Sequence, residues 1–310
     1  MGMAVKSERM NSSHTPLIVG MGATGLSCAR HYQRQRRAFT IVDSRVEPPG
    51  LEQLRVQCPR AEIITGEIPL ERLLSATQLL VSPGVALQQP AVAEAIARGV
   101  PVIGDIDLFM AEAKAPVVGI TGSNGKSTVT ELLGAMSRAA GKRVGVGGNL
   151  GPPALDLLEK DAELYVLELS SFQLERCGNL QLALACNLNL SADHIDRHGD
   201  MPTDVAAKQR VYAGCESLVY NRDANLTRPE GEYEVSQISF GLDEPTSGNY
   251  GLREVEGTFW LCHGSRALIK ASELSMVGHH NVANALAALS MGELLGLDGS
   301  DMLSALVVFK

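Results

Sequence analysis

Two short apolar runs that each break into a glycine loop constrain this chain more than any other feature. The first is "LIVGMGATGLS" at residues 17–27, and the second, about a hundred residues on, is "VVGITGSNGKST" at residues 117–128. A strand that ends in glycines and passes into a helix leaves backbone N–H groups at the helix N-terminus, where phosphate groups bind. Two such turns within 310 residues predict two α/β units, each with its own core and anion cradle.

The loops differ in chemistry. Gly20-x-Gly22-x-x-Gly25, with Asp43 about twenty residues later, has the spacing of a dinucleotide-binding turn, which by itself points to an oxidoreductase. In Gly122-Ser123-Asn124-Gly125-Lys126-Ser127-Thr128 the glycines let N–H groups turn around phosphate oxygens. Lys126 can then reach the outer phosphates and the Ser127 hydroxyl can hold Mg²⁺. The strict phosphate-loop pattern needs glycine where Ile120 stands, so this is a shortened variant.

Around the first loop, "LIVG", "AFTIVD", "AEIITG" and "QLLVSPG" alternate with helix-like stretches, which predicts a small doubly wound sheet over residues 15–104. Residues 1–14 read as a mobile tail. The second loop opens a larger unit, residues 105–310, in which "RVGVGG", "LYVLEL", "LALACNLNL" and "SLVYN" predict further parallel strands. Residues 231–270 resemble short alternating strands, an antiparallel extension, and the last thirty or so residues predict two helices.

Composition removes several function classes. A net charge of −8 argues against general nucleic-acid binding, so any anionic ligand must meet a local positive patch. No apolar run approaches membrane-spanning length, and the start of the chain lacks the apolar core of a secretory signal, which predicts a cytoplasmic protein. Six cysteines in no regular spacing read as buried or incidental thiols.

Three further features carry chemistry. Glu168 closes the run "LYVLE", at a strand tip where a nucleotide-bound magnesium needs an oxygen donor. "SADHIDRHGD" gathers Asp193, His194, Asp196, Arg197, His198 and Asp200; the histidine spacing suggests zinc, but no HExxH follows. This segment reads better as part of a nucleotide and metal site, with Asp193 on Mg²⁺ and His194 orienting a ligand oxygen. Lys208, on a predicted helix, reads as a surface lysine when taken alone.

In order along the chain, "GITGSNGKST", "YVLELSSFQLE", "NLNLSADHIDRH", "AAKQRVY" and "GHHNVANALAAL" resemble the ATP-binding central domain of the Mur ligases, the peptide-adding enzymes of bacterial peptidoglycan synthesis. "VGMGATGLS", "VDSR", "VSPGVAL" and "GGNLGPPAL" resemble the branch that adds D-glutamate to UDP-N-acetylmuramoyl-L-alanine. The resemblance implies a Rossmann-like N-terminal domain followed by a P-loop-type ATPase domain. It also implies that the first turn holds a sugar nucleotide and not NAD. Gly22, Ala23, Thr24 and Gly25 would cradle the UDP part, with Asp43, Ser44 and Arg45 at the uracil end and Ser82, Pro83 and Gly84 nearby. Asn149 and His194 would face the substrate, and the Gly122–Thr128 loop would hold ATP and Mg²⁺. Glu168 would join the magnesium, and Asn281 and Asn284 would contact adenine. Lys208 matches a lysine that related ligases carbamylate to hold a second magnesium; it stands with Lys126 and His194 among the residues expected in catalysis.

The implied reaction needs no protein nucleophile. An alanyl carboxylate attacks the γ-phosphate of ATP, and the amine of D-glutamate displaces the resulting acyl phosphate, so the protein supplies positioning and charge neutralisation. Mur ligases have a third, amino-acid-binding domain. The chain therefore reads as the first two domains, a monomer expected to bind the UDP-sugar without completing turnover. A ligase of the folylpolyglutamate type and an NAD-dependent oxidoreductase are the alternatives.

Overall fold

A computed structural model describes residues 15–158, 161–178, 180–190, 201–276 and 278–309. The chain divides into two compact units, Met1–Asp105 and Ile106–Lys310.

The first unit alternates strand and helix: β1 (Leu17–Val19), α1 (Ala23–Arg34), β2 (Thr40–Asp43), α2 (Leu51–Gln57), β3 (Glu62–Thr65), α3 (Leu70–Ser75), β4 (Leu79–Val81), α4 (Pro90–Ala97) and β5 (Val102–Ile103). Its strands pair in the order β3-β2-β1-β4-β5, all parallel. Short apolar runs form these strands because a parallel sheet covered by helices buries both faces, and β1, β2 and β4 are buried throughout. Leu17, Val19, Val42 and Val81 meet Leu73 and Val92 from the helices in the core. The strand order reverses between β1 and β4, the switch point where open sheets of this kind bind ligands at their carboxyl ends. Gly25 is required there, since a Cβ on it would collide with the Gly20 carbonyl oxygen.

The second unit comprises α5 (Asp105–Glu112), β6 (Val117–Thr121), α6 (Lys126–Ala139), β7 (Val144–Gly148), α7 (Ala154–Leu157), β8 (Leu164–Glu168), α8 (Ser171–Arg176), β9 (Leu184–Asn187) and α9 (Met201–Gln209). It continues with β10 (Ser217–Asn221), β11 (Ser236–Phe240), β12 (Tyr250–Val255), β13 (Thr258–His263), β14 (Arg266–Lys270), α10 (His279–Leu294) and α11 (Gly299–Val308). Among the described residues the nine-stranded sheet runs β14-β13-β12-β11-β10-β9-β6-β8-β7. It is parallel from β7 to β12 and antiparallel through β12–β13–β14. The antiparallel extension expected over 231–270 is confined to β12–β14, because β11 (Ser236–Phe240) continues the parallel sheet beside β10. Its hairpin turns at Glu256 and Gly257, with φ of 50° and 74°, the pair of left-handed residues that matches strand twist in a two-residue hairpin.

Val118, Ile120, Val166 and Leu184 from the central strands pack with Leu132, Met136, Leu286 and Leu306 from α6, α10 and α11. The two helices expected at the end of the chain are α10 and α11, the latter capped by Asp298, whose side chain accepts from the N–H groups of Ser300 and Asp301. All six cysteines are buried free thiols. Among the described residues no helix is long and apolar enough to cross a membrane.

Candidate functional site

In the first unit, the residues singled out from the sequence gather at the carboxyl edge of the sheet. Gly22, Ala23, Thr24 and Gly25 begin α1, Asp43, Ser44 and Arg45 leave β2, and Ser82, Pro83 and Gly84 leave β4. Gly20 takes a φ of 102°, its N–H bonds the Val42 carbonyl at 2.8 Å, and its own carbonyl accepts from the Ser82 hydroxyl at 3.3 Å. Gly22 is the N-cap of α1 and no side chain caps it, so the first N–H groups of the helix face outward for an anion.

Asp43 sits differently from a free ribose acceptor. Its Oδ1 accepts from the Arg45 N–H at 3.0 Å and Arg45 Nε at 2.9 Å, while its Oδ2 accepts from the Met21 N–H at 2.8 Å and Arg45 Nη2 at 2.6 Å. Four bonds fill a carboxylate's acceptor positions. Burial pushes this carboxyl up, but the hydrogen bonds from Arg45 and Met21 and the Arg45 charge outweigh it, leaving the pKa below the ordinary 3.8. The carboxylate is 4% exposed and the Arg45 side chain 54%, so Asp43 anchors the glycine turn and aims an exposed guanidinium.

In the second unit the loop Gly122–Thr128 joins β6 to α6, with Gly125 at φ 79° as the uncapped N-cap. A side chain at Gly125 would collide with the Asn284 amide, so glycine serves both the backbone turn and the close approach of α10. Lys126 Nζ folds back onto the Gly122 and Ser123 carbonyls at 2.8 and 3.0 Å. Burial lowers its pKa; Glu168 opposes this, Lys208 adds to it and Asp204 opposes it, leaving the value below the ordinary 10.5.

Glu168 is 3% exposed at the tip of β8. Its Oε2 accepts from the Ser127 hydroxyl and its Oε1 from the Asn149 side-chain amide, each at 2.7 Å. The carboxylate thus ties the loop to the end of β7, bringing Ser127, Asn149 and Glu168 together. Among the described residues no group of three or more His, Cys, Asp or Glu is arranged to hold a metal. A hydroxyl and one carboxylate are nevertheless the hard donors that suit Mg²⁺, which is commonly held by one or two carboxylates with nucleotide phosphates supplying further oxygens.

Lys208 overturns its reading as a surface lysine: it is 1% exposed. Its ammonium lies 2.5 Å from Asp204 Oδ2, one helical turn earlier on α9, and 3.1 Å from the Ser123 hydroxyl. Burial of the charge is compensated by that carboxylate, and the side chain ends against the phosphate loop.

A cavity of about 410 Å³ beside the loop is lined by Asn124, Gly125, Asn189, Phe240, His280 and Asn284, among others. Asn281 accepts from the Asn284 side-chain amide at 3.3 Å and orients it. Asp193 and His194 lie outside the described residues, with Asp196, Arg197, His198 and Asp200.

Sequence reasoning missed Asn189, which follows β9. Its side-chain oxygen accepts from the Asn124 N–H and its side-chain nitrogen donates to the Asn124 carbonyl, each at 2.8 Å, while its own carbonyl accepts from the Ser123 N–H at 2.9 Å. Only an amide side chain offers a donor and an acceptor at this reach, and it braces the phosphate loop from a partner 65 residues away.

Residues 14–104 match the model of the Mur ligase MurD-like N-terminal domain, and residues 120–292 that of the Mur ligase middle domain. The chain is 50% identical over 299 residues to a UDP-N-acetylmuramoylalanine–D-glutamate ligase of Pseudomonas aeruginosa, covering 96% of this chain and 67% of that one. It is 49% identical over 301 residues to the ligase of that name from Nitrosococcus oceani, covering 96% and 66%. The chain thus spans about two thirds of the length of these curated relatives. Among solved structures, a UDP-N-acetylmuramate:L-alanyl-gamma-D-glutamyl-meso-diaminopimelate ligase from Neisseria meningitides superposes with a TM-score of 0.65 at 20% identity, over 96% of this chain and 98% of that one. A UDP-N-acetylmuramate-alanine ligase from Thermotoga maritima gives 0.60 at 21%, over 95% and 68%.

Proposed function

The chain belongs to the Mur ligase family, and from that premise we infer that it carries the sugar-nucleotide and ATP-binding parts of a cytoplasmic, D-glutamate-adding ligase of peptidoglycan synthesis. The first unit holds the UDP portion of UDP-N-acetylmuramoyl-L-alanine through the N–H groups of the Gly22–Gly25 turn, with Arg45 aimed by Asp43 and with Ser82–Gly84 alongside. The second unit holds ATP on the Gly122–Thr128 loop, with the purine in the cavity that Asn284 lines.

One observation carries this reading most strongly: Ser127 and Asn149 converge on the two oxygens of Glu168, each at 2.7 Å. A group assigned to the nucleotide and a group assigned to the substrate thereby share one buried carboxylate. Ser127 and Glu168 would hold Mg²⁺, which when bound neutralises phosphate charge and orients the phosphates for in-line attack. Lys126 would exchange the loop carbonyls it now bonds for the outer phosphate oxygens, carrying positive charge to the group transferred. Lys208, which bonds Asp204 and the Ser123 hydroxyl, is the residue that carbamylation would turn into a ligand for a second magnesium. The alanyl carboxylate attacks the γ-phosphate, the phosphorus–oxygen bond to ADP breaks, and the amine of D-glutamate then displaces phosphate from the acyl phosphate. No residue described here is assigned to D-glutamate.

The oxidoreductase alternative loses its footing at Asp43, whose acceptor positions are filled from within the protein. Calorimetric titration with UDP-N-acetylmuramoyl-L-alanine tests the assignment. Saturable heat is expected, and no heat at millimolar substrate would overturn it.

A further inference from the structure

The anion-holding groups described so far lie at the carboxyl ends of strands. The amino end of the first unit's sheet carries a cavity of about 260 Å³ that none of them lines. It opens where three strands begin: Thr15 leads into β1, Ala38 and Phe39 lead into β2, and Arg60 and Ala61 lead into β3. Thr40, the first residue of β2 and the part of it that lines the cavity, is three residues from Asp43, roughly 10 Å at the usual rise per residue. The cavity is therefore distinct from the sugar-nucleotide site.

Its charge is opposite to that of the whole chain. Residues 23–42 contain Arg30, Arg34, Arg36 and Arg37 and no Asp or Glu, although the net charge is −8. Arg36, Arg37 and Arg60 line the cavity, and among the described residues none of the three pairs with a carboxylate. Arg37 lies over the Tyr32 ring, 5.1 Å from its centroid, which directs the guanidinium without neutralising it. Glu62, the carboxylate in the lining, is engaged by Arg72 and by the Thr40 hydroxyl.

The backbone gives an independent observation. Arg36 follows the last turn of α1 with φ 55°, and the N–H groups of Arg36 and Arg37 close that turn onto the Gln33 and Tyr32 carbonyls at 3.0 and 2.9 Å. Glycine is the usual residue at such a position, because a Cβ is disfavoured there. This helix-ending turn sets Arg36 and Arg37 side by side in the cavity lining.

We propose that this cavity is a second anion site, taking a small organic phosphate with two or more negative charges. Guanidinium groups pair with phosphate through two parallel N–H donors, and three of them around one cavity match a pyrophosphate or phosphosugar. The carbonyl end of α1 faces this edge, so the arginines and not a helix dipole supply the attraction. The volume of about 260 Å³ falls below the roughly 300 to 1,000 Å³ of drug-sized sites and suits a small phosphate better than a dinucleotide. Phe39, Ala38 and Ala61 give the ligand an apolar floor. This site does not depend on the ligase reading.

The test is titration of the isotopically labelled chain with inorganic pyrophosphate at about 0.15 M salt, where exposed charges are screened beyond about 8 Å. Amide shifts at Arg36–Thr40 and Arg60–Glu62 are expected to saturate with a Kd below about 1 mM, and excess UDP is expected to leave them unchanged. The double variant Arg36→Gly with Arg60→Ala is expected to bind about tenfold more weakly or worse, without a lower melting temperature, since glycine fits the backbone at residue 36. Shifts confined to the Gly20–Gly25 and Gly122–Thr128 loops, competition by UDP, or unchanged affinity in the double variant would each overturn the proposal. A short oligodeoxynucleotide that displaces pyrophosphate at equal charge would overturn the small-phosphate assignment.

Discussion

Asn189 offers the sharpest test of how the ATP loop is built. In Asn189→Ala the Ser123 N–H keeps its bond to the residue 189 carbonyl, but both side-chain bonds to Asn124, each 2.8 Å, are lost. A hydrogen bond of this kind contributes about 1 kcal/mol net, and water replaces part of it because Asn124 is exposed. The loss is then about 1 to 2 kcal/mol, or roughly 5- to 30-fold in affinity. It falls on ATP because the loop must be ordered around phosphate, whereas the folded state tolerates a looser loop. Calorimetry with ATP and Mg²⁺ measures it, with UDP-N-acetylmuramoyl-L-alanine binding as the unchanged control. Asn189→Asp keeps the acceptor but sets a carboxylate against the Asn124 carbonyl and near the phosphates, so it is expected to bind ATP more weakly than Asn189→Ala. Asn189 does not brace the loop if Asn189→Ala stays within twofold of the parent, or if the aspartate variant binds better than the alanine variant.

Two further expectations concern the first unit. Gly25→Ala forces a Cβ against the Gly20 carbonyl oxygen, an overpacking cost of about 1 to 3 kcal/mol, read as a lower melting temperature with sugar-nucleotide binding lost; unchanged melting would contradict the tight turn. The Asp43 carboxyl has a folded pKa below its unfolded 3.8. Its contribution is therefore complete above pH 3.8 and is lost as pH falls through the lower folded value. Glu163 and Asp298 also have lowered carboxyl pKa values and keep part of the acid-side slope, so chemical denaturation from pH 6 to 2 is expected to show a shallower acid-side slope in Asp43→Asn than in the parent, and parallel curves would remove the anchoring role.

Local pattern made much of this legible. Each glycine loop follows an apolar strand and opens a helix, so both loops could be placed from short windows, and Glu168 stands at the strand tip where its run was expected to end. What escaped depends on contacts across the chain. Lys208 looks like an ordinary helix lysine until α9 buries it against the phosphate loop, 85 residues away in sequence at Ser123. Asn189 stands in the quoted run "LALACNLNL", and its side chain has the donor and acceptor a loop brace needs, but nothing local says which loop. Asp43 matched a ribose-binding spacing, while its partner Arg45, two residues on, changes what it does. Arg36 and Arg60 come together only because β2 and β3 pair in parallel and start at one edge.

If two separate anion cradles serve two ligands, Lys126→Ala should weaken the binding of one of them alone, which calorimetry against both measures. ATP binding is expected to weaken by about tenfold or more, the scale of a lost charge-assisted contact to phosphate, while UDP-N-acetylmuramoyl-L-alanine binds as it does to the parent chain. Equal loss of both affinities would rule out separate cradles.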